Sequence, residues 1–184
     1  MEDGARLLPG WLTAAVRSVA LALAVAGGAV LVFITVVTDL SIAGRALIPL
    51  GLRPIQGDYE IVEAGTAFAI FAFMPWCQFN RRHATVDVFT SRLPPDMLRF
   101  IDLIVDIVFV VVIAFIIWRT GIGLGDKYRN GQLTFILQMP VWWTYAVAMI
   151  GGVAWVAVSL YCLAESAAAL FTRRNVIVGA DGGR

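Results

Sequence analysis

The stretch IVFVVVIAFIIW, residues 107–118, has no charged residue and only apolar side chains. A helix on the surface of a soluble bundle carries a polar stripe on the side away from the core. This stretch has none, so a water-exposed four-helix bundle is excluded and a lipid-facing helix is expected. Working outward, the apolar run extends from about 97 to 118. Three further blocks of the same character lie at about 12–38, 61–79 and 138–164. A bilayer core about 30 Å thick is crossed by about 20 helical residues, and each block is about that long. The chain of 184 residues is 60% hydrophobic, with a mean hydropathy of +0.82. Soluble domains sit near 45–50% apolar. The expected fold is an all-α integral membrane protein with four transmembrane helices in a single membrane domain, residues 1–184.

The flanks of these blocks set further expectations. The first block continues without interruption past Ala24-Val25-Ala26, which reads as an uncleaved first helix rather than a signal peptide. Lys and Arg collect on the cytoplasmic side of a membrane. Arg6, Arg17, Arg81, Arg82, Arg92, Arg99, Arg173, Arg174 and Arg184 fall on the side of the termini and the second connection. Arg45, Arg53, Arg119, Lys127 and Arg129 fall on the other, with Arg119 read as part of the loop after the third block. Both termini are therefore predicted to be cytoplasmic. Trp142 and Trp143 at the outer start of the fourth helix suit an aromatic belt.

Between the second and third blocks lies QFNRRHATVDVF, residues 78–89. Val86, Phe89 and Leu93 recur at helical spacing, which predicts a short amphipathic helix over about 85–93 on the inner membrane surface. Arg81 and Arg82 fix orientation and meet anionic lipid, while His83 and Asp87 tie this elbow together or tie it to a partner. The tail, about 172–184, is basic and then glycine-rich, and is expected to be mobile.

Small residues and charges inside the blocks are the candidate functional positions. Ala24-x-x-x-Gly28, with Gly27 beside it, and Ala148-x-x-x-Gly152, with Gly151 beside it, are faces on which helices approach closely in lipid. Pro75 should kink the second helix. Glu60 and Glu63 open that helix, where the dipole favours acids, and one of them is expected to pair with Arg45 or a partner subunit. Arg99, Asp102 and Asp106 share one face of the third helix. A carboxylate inside the bilayer costs several kcal/mol unless it is paired. Arg17 is therefore expected within salt-bridge reach of Asp102 or Asp106, unless a partner supplies the cation. These acids read either as glue between helices or as a proton or sodium relay.

Several chemistries lack their residues. The single histidine cannot make a bis-histidine haem site. Neither it nor Cys77 and Cys162 assembles a zinc or di-iron set, and no cofactor is expected. The glycines of RTGIGLGDKYRNG are not a phosphate loop. A net charge of +1 gives nucleic acid no purchase. No catalytic set emerges, so the chain reads as a non-enzyme.

Four motifs, in order, carry a resemblance. Gly44-Arg45 follows the first span. DYEIVEAG (58–65) opens the second, with Tyr59 where the family has a tryptophan and with its acids, Glu60 and Glu63, separated. HATVDVF (83–89) leads into Arg92-Leu93-Pro94-Pro95. LTFILQMPVWWTYAVAMIG (133–151) precedes and begins the fourth span. Together, over about residues 12–165, they resemble the small membrane subunit of tripartite ATP-independent periplasmic (TRAP) transporters, the DctQ type. The resemblance implies a non-catalytic scaffold in the bacterial inner membrane. It implies an obligate large membrane subunit that carries substrate and sodium sites, and a periplasmic binding protein that delivers an organic acid and docks transiently. The competing readings are a membrane anchor for a redox enzyme and a small self-sufficient carrier that uses Asp106.

Overall fold

The computed structural model describes residues 8–80 and 95–172. The protein is all-helical. Helix α1 spans Gly10–Ala46, α2 Asp58–Phe79, α3 Pro95–Arg129 and α4 Trp142–Thr172, and all four are long and apolar enough to cross a membrane. The predicted interfacial helix, the elbow residues Arg81, Arg82, His83, Val86, Asp87 and Phe89, and the tail from 173 onward lie outside the described residues.

The helices stand in a row rather than a closed square. The parallel pair α2 and α4 forms the centre, α1 lies against α2, and α3 lies against α4. The central α4 is the most buried of the four. The two ends of the row differ. One end holds the start of α1 and the end of α4. The other holds the 47–57 connection, with its 3-10 turn at Ile48–Leu50, and the 130–141 connection.

Small residues set the spacing along this row. The buried residues of α1 include Thr13, Ala20, Gly27, Ile34 and Ser41, spaced by seven. Such a repeat keeps one seam facing a neighbour with a slight left-handed coil. The seam lies on α2, and at its start, around Thr13 and Ala20, on α4 as well. A Cβ on Gly27 would stand 3.1 Å from Ala72 Cβ, and one on Gly65 would stand 2.6 Å from Ile34 Cγ2. The expected Ala24–Gly28 face is thus only partly used, because Gly27 turns inward and nothing lies within 4 Å of a Cβ on Gly28. Ala24 is half-buried.

The second close approach joins α2 to α4. Ala148 is buried, and a Cβ on Gly151 would lie 2.7 Å from the carbonyl carbon of Phe71 and 2.8 Å from its oxygen. Pro75 explains why that carbonyl is available. It lies four residues on, buried within a continuous α2, and it has no N–H to donate back to Phe71. Gly151 lets the α4 backbone come up against that carbonyl, the close approach at which weak Cα–H contacts form between helices. Gly152 lies against the side chain of Ile117 on α3 and against the Phe71 ring.

Helices α1 and α3, like α4 at its end, run further than the sequence suggests. At 37 residues α1 is about 55 Å long at 1.5 Å per residue. Helix α3 does not stop near Trp118 but continues to Arg129. The glycines expected in a loop, Gly121 and Gly123, are helical, and their missing side chains make room for Met149 and Tyr145 of α4. Packing overrides the low helix propensity of glycine here.

Gly151→Leu should lower thermal stability in detergent by about 1–3 kcal/mol, the cost of overpacking a close contact. Gly28→Leu, which meets open space, should leave the melting temperature nearly unchanged.

Candidate functional site

Polar side chains inside the bundle fall into two groups, one at each end. At the connection end the group starts from Gly57, which holds φ 79 ahead of α2. A Cβ there would lie 2.5 Å from Leu137 Cγ, so only glycine lets the 130–141 connection rest on this turn without strain. That connection is a small hairpin. Leu133 pairs with Pro140 across it. The Thr134 N–H donates to the Met139 carbonyl at 2.9 Å, and the Val141 N–H to the Gln132 carbonyl at 2.9 Å. Gly131 (φ 58) and Gln138 (φ 55) turn the chain.

Glu60 anchors the hairpin to α2. Its two carboxylate oxygens accept from the backbone N–H of Ile136 at 2.7 Å and of Leu137 at 2.9 Å. Two adjacent amides at a hairpin tip have no strand to pair with, and a carboxylate satisfies both with charge-assisted bonds. The expected pairing of Glu60 or Glu63 with Arg45 is not what the structure shows. Arg45 lies 3.7 Å from Asp58 instead, with its side chain 65% exposed, a separation and exposure at which an ion pair contributes little. Asp58 is held from α1, where the Ser41 hydroxyl donates to it at 2.5 Å. Glu63 is exposed. Gly44 closes the same corner, since a Cβ on it would lie 2.6 Å from the Arg53 carbonyl oxygen.

The hairpin presents apolar side chains outward. Phe135 is 97% exposed, and Leu133, Ile136 and Met139 are also exposed. Just behind it, Trp142 meets Tyr128 edge-on at 5.5 Å and lies 5.3 Å from Trp143, ring centre to ring centre.

At the opposite end the polar contacts join helices deep in the bundle. Asp106 on α3 is 4% exposed and accepts a hydrogen bond from the Ser166 hydroxyl of α4 at 2.5 Å. The Thr13 and Tyr161 hydroxyls are 2.7 Å apart between α1 and α4. The Cys162 thiol donates to the Gln78 carbonyl of α2 at 3.6 Å. Glu165 is 2% exposed. Arg17 does not meet Asp102 or Asp106. It is exposed on α1, and α1 lies on the far side of α2 and α4 from α3. Asp102 is half-buried, and the Arg99 side chain lies outside the described residues. Cys77 is half-buried and unoxidised. Among the described residues no three His, Cys, Asp or Glu side chains converge as a metal site.

Sequence reasoning missed Ser41, Asp58, Tyr161, Glu165 and Ser166. The seven-residue spacing that includes Thr13 and Ser41 is a signal that points to the first. Ser159, Cys162 and Ser166 at i, i+3, i+7 point to a polar face on α4. Measured interhelical hydrogen bonds in membranes average about 0.6 kcal/mol. Contacts of this size select one register among the helices more than they stabilise the bundle.

The end of α1, all of α2 and α3, nearly all of α4, the Gly151 contact and the acid-anchored hairpin lie within one matched region. The family model described as the DctQ component of tripartite ATP-independent periplasmic transporters matches residues 34–169, about three quarters of the chain. The chain belongs to this family. No curated protein matches the chain significantly, and no solved structure does. DctQ membership makes the protein a multi-pass membrane component of a tripartite transporter. The matched region takes in Gly44, Glu60, Gly151 and the whole hairpin.

Glu60→Ala should free the hairpin without unfolding the bundle. Hydrogen exchange of the Ile136 and Leu137 amides is expected to quicken by roughly an order of magnitude, because each loses its acceptor, while amides in the middle of α4 stay protected.

Proposed function

We propose that this chain is the small, non-catalytic membrane subunit of a sodium-coupled, binding-protein-dependent TRAP transporter for an organic acid, in the bacterial inner membrane. Its task is to hold the large membrane subunit in place while that subunit moves substrate. The observation that carries this reading is the family match, which begins in α1 and ends in α4. The packing agrees with it. Glycine-to-backbone contacts such as Gly151 on Phe71 leave no slack between helices, and interiors packed this closely have two discrete arrangements or one rather than a continuum. The buried acid Asp106 is hydrogen-bonded to a serine of the next helix, a contact that joins helices.

In this reading both termini are cytoplasmic, in line with the excess of Lys and Arg on that side. The hairpin and the 47–57 connection then face the periplasm. A firmly anchored hairpin with Phe135 fully exposed suits a contact with the periplasmic binding protein during delivery. Arg81 and Arg82 meet anionic lipid at the inner surface, and His83 and Asp87 tie the elbow together or tie it to the large subunit.

Affinity purification of the tagged chain from its native membranes in mild detergent tests the proposal. One many-span membrane protein should be recovered in equal amount by mass spectrometry. Uptake of an organic acid into proteoliposomes should need that protein, the binding protein and a sodium gradient together. Recovery of a flavin or iron–sulfur protein instead, or uptake by this chain alone, would reject it.

A further inference from the structure

Arg119 is a charge that the fold leaves exposed on a membrane-length helix. It lies not in a loop but within α3, ten residues before the helix ends at Arg129. Its depth follows from its neighbours. Two residues before it, Ile117 lies against Gly152 of α4, and two residues after it, Gly121 lies beside Met149. The aromatic layer at that end is formed by Tyr128 and Trp142, with ring centres 5.5 Å apart. Arg119 is nine residues short of Tyr128, about 13 Å along a helix. Counting down α4 from Trp142 to the level of Met149–Gly152 gives the same depth. Tryptophan and tyrosine mark the headgroup level. Trp118 is an exposed tryptophan too, but the level of Ile117 is also that of Phe71. That level is about 20 Å along α2 from its start at Asp58, so Arg119 lies inside the hydrocarbon.

At that depth its side chain is exposed, on the face of α3 turned away from the bundle. It makes no ion pair among the described residues. Helix α4, the one element packed along α3, carries no charge from Trp142 to Ala164. Snorkelling is the usual escape for an arginine. The six-bond stem reaches about 7 Å at the rise of an extended chain, which leaves the guanidinium several ångströms short of the headgroups. A charge so placed calls for a partner at its own level.

The surroundings show what kind of partner. Beside Arg119 an open groove of about 580 Å³ runs along α3. Its walls are Ile117, Trp118, Ile122 and Met149, and Asp126 and Arg129 line its end toward the 130–141 connection. Its floor includes Gly121 and Gly125, and nothing lies within 4 Å of a Cβ on Gly125. The long axis follows a helix, the walls are apolar up to a charged end, and Arg119 stands beside the apolar part, next to Trp118.

We propose that this face of α3 seats a transmembrane helix of the large transporter subunit, and that the helix carries an Asp or Glu whose carboxylate meets Arg119 inside the bilayer. The inference rests on the transporter-subunit reading above and adds the surface and the contact. The small residues let the helices approach, and the planar guanidinium binds a carboxylate through two parallel hydrogen bonds. The pair aligns the two subunits in depth and rotation.

The test is co-purification of the tagged full chain with the large subunit, combined with photo-crosslinking from a benzoylphenylalanine placed at Trp118, with Val32 on the exposed face of α1 as the control position. Arg119→Leu and Arg119→Glu should each lower recovery of the large subunit by roughly 3- to 20-fold, the range of interhelical polar contacts in membranes. Arg119→Lys should retain most of it. The melting temperature of the purified Arg119→Leu chain should match the wild type, since Arg119 makes no ion pair among the described residues. Crosslinks from position 118 should land on the large subunit, and those from position 32 should not. Full recovery with Arg119→Leu, or crosslinks from 118 to lipid or to a second copy of this chain, would overturn the proposal while leaving the subunit reading intact. Failure of the wild-type chain to recover any many-span protein would overturn both.

Discussion

The contact on which the rest of the bundle depends is the one between the Phe71 carbonyl and the backbone of Gly151. Proline at position 75 withdraws the hydrogen bond that the carbonyl would otherwise accept. Glycine at position 151 lets another helix come close enough to face it. Neither residue achieves this alone. A free carbonyl facing lipid would cost several kcal/mol, and a side chain at 151 would hold the helices apart. Because α2 and α4 run parallel and touch here, α1 and α3 can only pack on the outer sides, and the row of four follows.

A row leaves more surface uncovered than a square. Helices α1 and α3 each have one neighbour of consequence, and their outer faces are apolar along most of their length. In lipid this is tolerable, since hydrocarbon tails are as apolar as leucine. For a subunit of a larger assembly it is also useful. Two broad faces remain free for other membrane helices, while the central contacts keep the subunit's own shape constant. The buried hydrogen bonds Thr13–Tyr161 and Asp106–Ser166 serve that constancy. Each is small in energy, but each is lost in any other register.

The two ends of the row are built differently. At the end with the connections, the ordering comes from backbone groups: Gly57 receives Leu137, and Glu60 satisfies two hairpin amides. At the end with the termini it comes from side chains buried between helices. The hairpin therefore presents a defined surface even though it has few residues, and its apolar tip is held outward rather than folded back.

The sequence by itself determined the fold class. A run such as 107–118 has no face that water could wet, so a membrane helix is its only stable setting, and four such runs make four helices. The apolar pattern also marked Ala24, Gly27, Gly28, Ala148, Gly151 and Gly152 as places where helices meet, because small residues have that meaning in lipid, but it did not tell that Gly27 turns inward and Gly28 does not. Which residue faces which helix was beyond it. Periodicity along one helix carries no information about the azimuth or depth of its neighbour. The Arg17–Asp106 pairing was reasonable from depth alone, yet α1 and α3 lie on opposite sides of the central pair. Glu60 was legible as a helix-opening acid, but its hydrogen bonds go to residues more than seventy positions away, which only the folded hairpin brings near. Arg119 read as a loop cation because glycines follow it. Packing against Tyr145 and Met149 kept those glycines helical, and so the tertiary structure alone placed that charge within a membrane-length helix.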